Sequence, residues 1–173
     1  WLRRKGIEIA LAESGSDPAL ADEAYAAFFS ERNRVDFYAD ARDALARLSA
    51  RLPVCALSNG NADLATIGID SHFTHQVTAR DFGRGKPDAS IFLHACQLLG
   101  VAPQQVLHVG DDIEADVVGA HRAGLMTCWL HRDDARARHP TWPKREFTPR
   151  LTFPTLAALA DWLDTQPHPE DAR

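Results

Sequence analysis

Apolar and polar positions along this chain follow two different periods. Residues from about 2 to 13 and from 18 to 32 repeat apolar side chains at helical spacing, which predicts two amphipathic helices. Between them Ser14-Gly15-Ser16-Asp17-Pro18 offers a stop, an N-cap and a first-turn proline, so the pair reads as a helical hairpin. After Val35-Asp36-Phe37-Tyr38 the texture changes, and a helix near 40 to 51 leads into an apolar strand at Val54 to Leu57. The rhythm then repeats: a short helix near 62 to 66, a strand at Gln76 to Ala79 and a helix at 88 to 99. A strand at Val106 to Val109, a helix at 114 to 123, a strand at Met126 to His131 and a final helix near 155 to 164 follow. This alternation predicts an α/β fold, Rossmann-like, with a parallel sheet covered by helices on both faces. The boundary between hairpin and sheet falls near Val35, dividing residues 1 to 35 from 36 to 173.

Composition narrows the function classes. The chain has 173 residues, 45% of them apolar, enough for one core and a small appendage. Its longest uncharged apolar runs, such as Val54 to Leu57 and Met126 to Leu130, fall far below the roughly 20 residues that span a bilayer, so no transmembrane helix is expected. A net charge of -5 with mixed signs leaves no basic stripe, which argues against nucleic acid as a partner. Cys55, Cys96 and Cys128 sit in apolar runs, odd in number and without a C-x-x-C pair; buried free thiols and a reducing cytoplasm are expected. The chain opens on Trp1 without the apolar centre of a signal peptide, and Trp1 is not expected to be the natural start. The stretch from Arg132 to Arg150 reads as a surface connection of mixed charge, and the tail Gln166-Pro167-His168-Pro169 as frayed.

Candidate chemistry gathers at strand ends, where open parallel sheets bind ligands. Val106 to Asp116 drives an apolar run into three carboxylates, Asp111, Asp112 and Asp116. Asp111 and Asp112 are hard oxygen donors suited to Mg²⁺. Asp116, one helical turn beyond Asp112, is expected to support the metal's waters or the loop. Ser58 offers a hydroxyl, while Asn59 and Gly60 offer an amide and close backbone approach for a phosphate. Lys86, ahead of Pro87, supplies a compact charge against phosphoryl oxygen. Each piece also has a plain reading: Gly-Asp-Asp as a turn with helix-capping aspartates, Ser-Asn-Gly as an ordinary turn. What raises them together is their order and their common place at strand ends. His72 and His75 read as loop histidines, His108 as core or support rather than a base, and Trp129 and Phe92 as packing residues. Arg132, Arg136, Arg138 and His139 alternate with Asp133 and Asp134 and read as a solvated loop.

Ser58-Asn59-Gly60, Lys86-Pro87 and Gly110-Asp111-Asp112 with Asp116 together resemble motifs two, three and four of the haloacid dehalogenase superfamily, over residues from about 39 to 131. The phrase from His108 to Gly124 is similar to its subfamily one-A phosphatases. Ser-Asn-Gly-Asn, the Arg-x-Gly-Lys-Pro loop and Cys128-Trp129 further resemble bacterial phosphatases of riboflavin and nucleotide pathways. The resemblance implies Mg²⁺, a small phosphorylated metabolite as substrate and a helical cap, of which residues 1 to 35 would be the second half.

Members of that superfamily carry an Asp-x-Asp motif one that supplies the nucleophile and ends the central strand, and nothing ahead of Ser58 matches it. The chain is therefore expected to be the carboxyl-terminal portion of a phosphatase, inactive alone, and open to aggregation or strand donation were that segment removed. Two other readings stand beside this one. One is a non-catalytic phosphate- or metal-binding module; the other is a 2-haloacid dehalogenase, which by resemblance is metal-independent and carries serine and asparagine where Asp111 and Asp112 stand. Oligomeric state is left open by the sequence.

Overall fold

The computed structural model describes residues 2–132, 141–143 and 146–167. Trp1, the loop residues Arg136, Arg138 and His139 with their neighbouring aspartates, and the tail from His168 lie outside the described residues. The chain divides into two compact units: one runs to Asp36 and includes Ala62–Gly68, the other comprises Phe37–Asn61 and the chain from Ile69 onward.

The first unit is built on α1 (Leu2–Glu13) and α2 (Ala21–Arg32). Gly15 takes a left-handed φ of 74° that ends α1, and Ser16 N–H donates to the Leu11 carbonyl at 2.9 Å. Asp17 then caps a short 3₁₀ turn, Pro18–Leu20, by accepting from Ala19 N–H at 2.9 Å. An ion pair between Arg4 and Asp22 links the two helices on their exposed side. The helix expected near 62 to 66 is instead a turn. Asp63 accepts from Thr66 N–H at 2.7 Å through its side chain and from Ile67 N–H at 3.0 Å through its carbonyl. Local side-chain bonding of this kind competes with helix propagation.

The second unit holds the strands, all parallel: β1 (Cys55–Ser58), β2 (His75–Thr78), β3 (Leu107–Gly110), β4 (Met126–Leu130) and β5 (Leu151–Phe153). The expected α/β alternation is present, with three differences. The described strands form two ladders, β1–β2 and β3–β4–β5, rather than one sheet. β1 and β3 thus each keep one side without a described partner strand. β5, which the sequence pattern does not predict, directly follows the stretch read as a surface connection and pairs Leu151 with Cys128 on β4. A short helix, α4 (Ala79–Phe82), starts where the second strand was expected to end, because Thr78 accepts from Asp81 N–H and turns the chain.

α5 (Ala89–Leu99) is the keystone of this unit. Asp88 caps it through Ser90 N–H at 2.9 Å, and Gly100 closes it at φ 69°. Its apolar stripe Ile91, Phe92, Ala95 and Cys96 is buried against Val77, Ala120 and Leu125, with Cys55 and Leu57 of β1 packed at the margin. Full burial of a side chain such as Ile91 or Phe92 contributes about 1.5–3 kcal/mol. Phe92 fits because Gly119 has no side chain; a Cβ there would lie 2.9 Å from the Phe92 ring and from Pro87. Elsewhere α3 (Ala41–Arg51) packs on α7 (Leu156–Asp164). Asp40 joins them by accepting from Leu156 and Ala157 N–H at 2.8 and 3.2 Å and from Arg132 at 3.0 Å. Arg132 also lies over Tyr38 at 3.8 Å, so it is a structural tie and not the solvated loop residue expected.

Candidate active site

The carboxyl ends of β1 and β3 carry the residues singled out in the sequence. At the end of β1, the Ser58 hydroxyl accepts from Gly60 N–H at 2.9 Å and folds Ser58-Asn59-Gly60 into a tight turn. Asn59, expected to touch phosphate, spends its side chain otherwise. Its Nδ2 donates to the Lys86 carbonyl at 2.8 Å and its Oδ1 accepts from Lys86 N–H at 2.7 Å. Both amide groups of Asn59 are therefore committed to the lysine's main chain, and a Cβ at Gly85 would come within 2.7 Å of Oδ1. The Lys86–Pro87 peptide is cis.

The lysine's other end is held as firmly. Lys86 Nζ donates to Asp116 Oδ1 at 2.6 Å, with side chains only 14% and 6% exposed. The same oxygen meets His108 Nε2 at 3.0 Å, while Asp116 Oδ2 accepts from Asp112 N–H at 3.1 Å. Burial by itself would raise the Asp116 pKa; the hydrogen bond from His108 and the charge of Lys86 outweigh it and hold the carboxyl at about 2. Space for this carboxylate comes from Gly110 at the tip of β3, where a Cβ would stand 2.3 Å from Asp116 Cγ.

The segment after β3 positions Asp116. Ile113–Val118 winds as a wide π turn before α6 (Gly119–Arg122), and Asp116 N–H donates to the Asp112 carbonyl at 2.9 Å. Asp112 caps this turn, its Oδ1 accepting from Glu114 and Ala115 N–H at 2.9 and 2.8 Å, which is the plain reading of that residue. Asp116 thus reaches Lys86 and His108 through Oδ1 and the Asp112 N–H of the loop through Oδ2.

Asp111 is exposed, and its side chain has no hydrogen bond from the described residues; its carbonyl accepts from Trp129 Nε1 at 3.3 Å. Among the described residues no three His, Cys, Asp or Glu side chains converge as a metal centre. Two adjacent carboxylates at a strand tip still fit Mg²⁺, which takes one or two protein carboxylates and keeps several waters.

The remaining residues have structural partners. His72 Nδ1 lies 3.2 Å from Ser49 Oγ, and His75 belongs to the β2 ladder. Trp129 stacks on His131 at 4.4 Å. Burial pushes the Cys55 and Cys128 thiols up to about 11 and about 12, so neither serves as a nucleophile at neutral pH. No described helix is long and apolar enough to cross a membrane.

Over 165 residues the chain is 34% identical to 5-amino-6-(5-phospho-D-ribitylamino)uracil phosphatase YigB of Escherichia coli (strain K12), covering 93% of this chain and 68% of that protein. It is 37% identical over 136 residues to phosphoserine phosphatase of Thermus thermophilus, covering 75% of this chain and 55% of the relative. The chain thus spans about two thirds of the first of these relatives and about half of the second. Among solved structures, a 2-haloacid dehalogenase from Pseudomonas syringae pv. Tomato DC3000 superposes with a TM-score of 0.83 at 29% identity, covering 94% of this chain and 70% of that one. A family model for haloacid dehalogenase-like hydrolases matches residues 1–124, and with the first phosphatase relative this establishes that the chain belongs to the haloacid dehalogenase-like hydrolase family.

Proposed function

We propose that this chain is the carboxyl-terminal portion of a Mg²⁺-dependent phosphomonoester hydrolase acting on a small phosphorylated metabolite. The observation that carries the reading is the fully wired Lys86, its main chain clamped by Asn59 and its ammonium 2.6 Å from Asp116. A buried cation held in place before substrate arrives stabilises the charge that develops on a transferring phosphoryl group, at no reorganisation cost. Ser58 and the turn that follows it offer a hydroxyl and backbone N–H groups to the phosphate oxygens. Asp111, with Asp112, would hold Mg²⁺, which when bound polarises the phosphoryl group and orients it.

The nucleophile in this reading is an aspartate contributed by chain outside these residues. Its carboxylate attacks phosphorus, the ester P–O bond breaks and the alcohol leaves with a proton from a general acid on the same segment; water then cleaves the aspartyl-phosphate, releasing inorganic phosphate and restoring the carboxylate. The sides of β1 and β3 that have no described partner strand support this, because a parallel strand seated there would deliver its end residue near the Ser58 and Gly110 strand tips that Lys86 reaches through Asn59 and Asp116. Residues 1 to 35 are read as the second half of a cap. The free buried thiols favour the cytoplasm.

Flavin-precursor and nucleotide chemistry is the substrate class we favour, given the ribitylaminouracil phosphatase and the pyrimidine 5'-nucleotidase YjjG of Escherichia coli (strain K12), 37% identical over 83 residues. The superposition on a 2-haloacid dehalogenase supports a second reading, against which the paired Asp111 and Asp112 weigh. A non-catalytic binding module is the third. Asp111→Asn in the intact protein separates them. It should abolish Mg²⁺-stimulated hydrolysis of a generic aryl phosphate, and undiminished turnover would sink the metal assignment.

A further inference from the structure

His108 is the one group around Asp116 to which the proposed reaction gives no task. It projects from the middle of β3 between Leu107 and Val109, with only 11% of its side chain exposed. A polar ring at such a position needs a hydrogen-bond partner. Its Nε2 finds Asp116 Oδ1 at 3.0 Å, the same oxygen that receives Lys86 Nζ at 2.6 Å. From α5 the Phe92 ring meets the imidazole edge to face, with centroids 5.0 Å apart and planes at 87°, which restricts the ring's rotation. An ionised carboxylate only accepts, so the shared proton belongs on Nε2.

We infer that His108 is a positioning residue for Lys86, acting through Asp116. This rests on the phosphatase reading above. Three donors fix the Asp116 carboxylate: His108 Nε2 and Lys86 Nζ on Oδ1, Asp112 N–H on Oδ2. Without His108, Oδ1 keeps only the lysine, and the carboxylate regains rotation about its soft terminal torsion. The ammonium follows, because a lysine head rides on a flexible four-carbon stem. The Asn59 clamp does not prevent this, since it grips the Lys86 main chain and leaves Nζ to Asp116 alone. The loss therefore falls on the step in which charge develops and not on ground-state binding.

The test compares wild type, His108→Gln and His108→Leu in the intact protein, using p-nitrophenyl phosphate with Mg²⁺, alongside the imidazole nitrogen shifts of His108 by NMR. Leucine keeps an apolar contact for Phe92 but donates nothing; glutamine carries an N–H where Nε2 stood. In the leucine variant kcat should fall about 10-fold or more with KM within about threefold, and glutamine should recover most of that loss. In wild type the ring should carry its proton on Nε2 at neutral pH. Equal losses in both variants, no loss in the leucine variant, or an Nε2 without a proton would each overturn the inference. Should wild type hydrolyse no phosphomonoester, the phosphatase reading fails instead, and the nitrogen shifts alone then decide whether His108 donates to Asp116.

Discussion

At the carboxyl ends of the strands, Lys86 is gripped from both directions, while Asp111 projects into solvent with no side-chain hydrogen bond from a described residue. The lysine corner is saturated: Asn59 pairs with the Lys86 main chain, and Lys86 Nζ, His108 and the Asp112 N–H converge on Asp116. The aspartate tip is open, and only Asp112 is engaged, through one oxygen, as a helix cap. In the proposed reaction, the contrast follows from what each group must do. A buried ammonium without a fixed counter-charge would cost several kcal/mol, so it is wired before substrate arrives. A hard cation needs carboxylate oxygens whose lone pairs are still available, which an aspartate tied into the same network could not offer.

The comparison breaks most sharply at the lysine. Lys86→Ala should lower kcat toward aryl phosphate by about 10²-fold or more, and a smaller loss would mean that the wired corner is scaffold and not part of the reaction. Next in size is Gly110→Ala. Its Cβ would stand 2.3 Å from Asp116 Cγ, so the carboxylate must leave its place or the strand must shift. The expected result is a loss of stability of about 1–3 kcal/mol in thermal or urea unfolding, with turnover falling alongside it. Unchanged unfolding would show that Asp116 moves away at little cost. The smallest effect belongs to Asp112→Asn, which sharpens the open side. Asparagine caps as well as aspartate, so stability should stay within about 0.5 kcal/mol. A rise in the Mg²⁺ concentration needed for half-maximal turnover would assign Asp112 to the cation as well as to the cap; no change would leave it a cap alone.

Most regular elements were legible from the chain, because the apolar stripe of α5 and the runs in β1, β3 and β4 carry their own period. β5 was not. It has three residues and no alternation to read, and it exists because β4 offers an edge for Leu151 to join. Within the site, Ser58, Lys86 and the aspartates were legible as types at strand ends, but their partners were not. Asn59 grips the Lys86 main chain with its side chain, and Asp116 takes Lys86 and His108 as well as the Asp112 N–H. The helix expected over 114 to 123 begins instead as a π turn, Ile113–Val118.

The sequence by itself determined the α/β alternation, the family and the identity of the charged groups, because periodicity and short motifs are local properties of a chain. Only the tertiary structure decided which group partners which. Lys86 meets Asp116 across 30 residues of sequence, and His108 joins them from a third element. A buried charge chooses its partner by distance and desolvation in the folded state, and neither quantity is written in the spacing of residues along the chain.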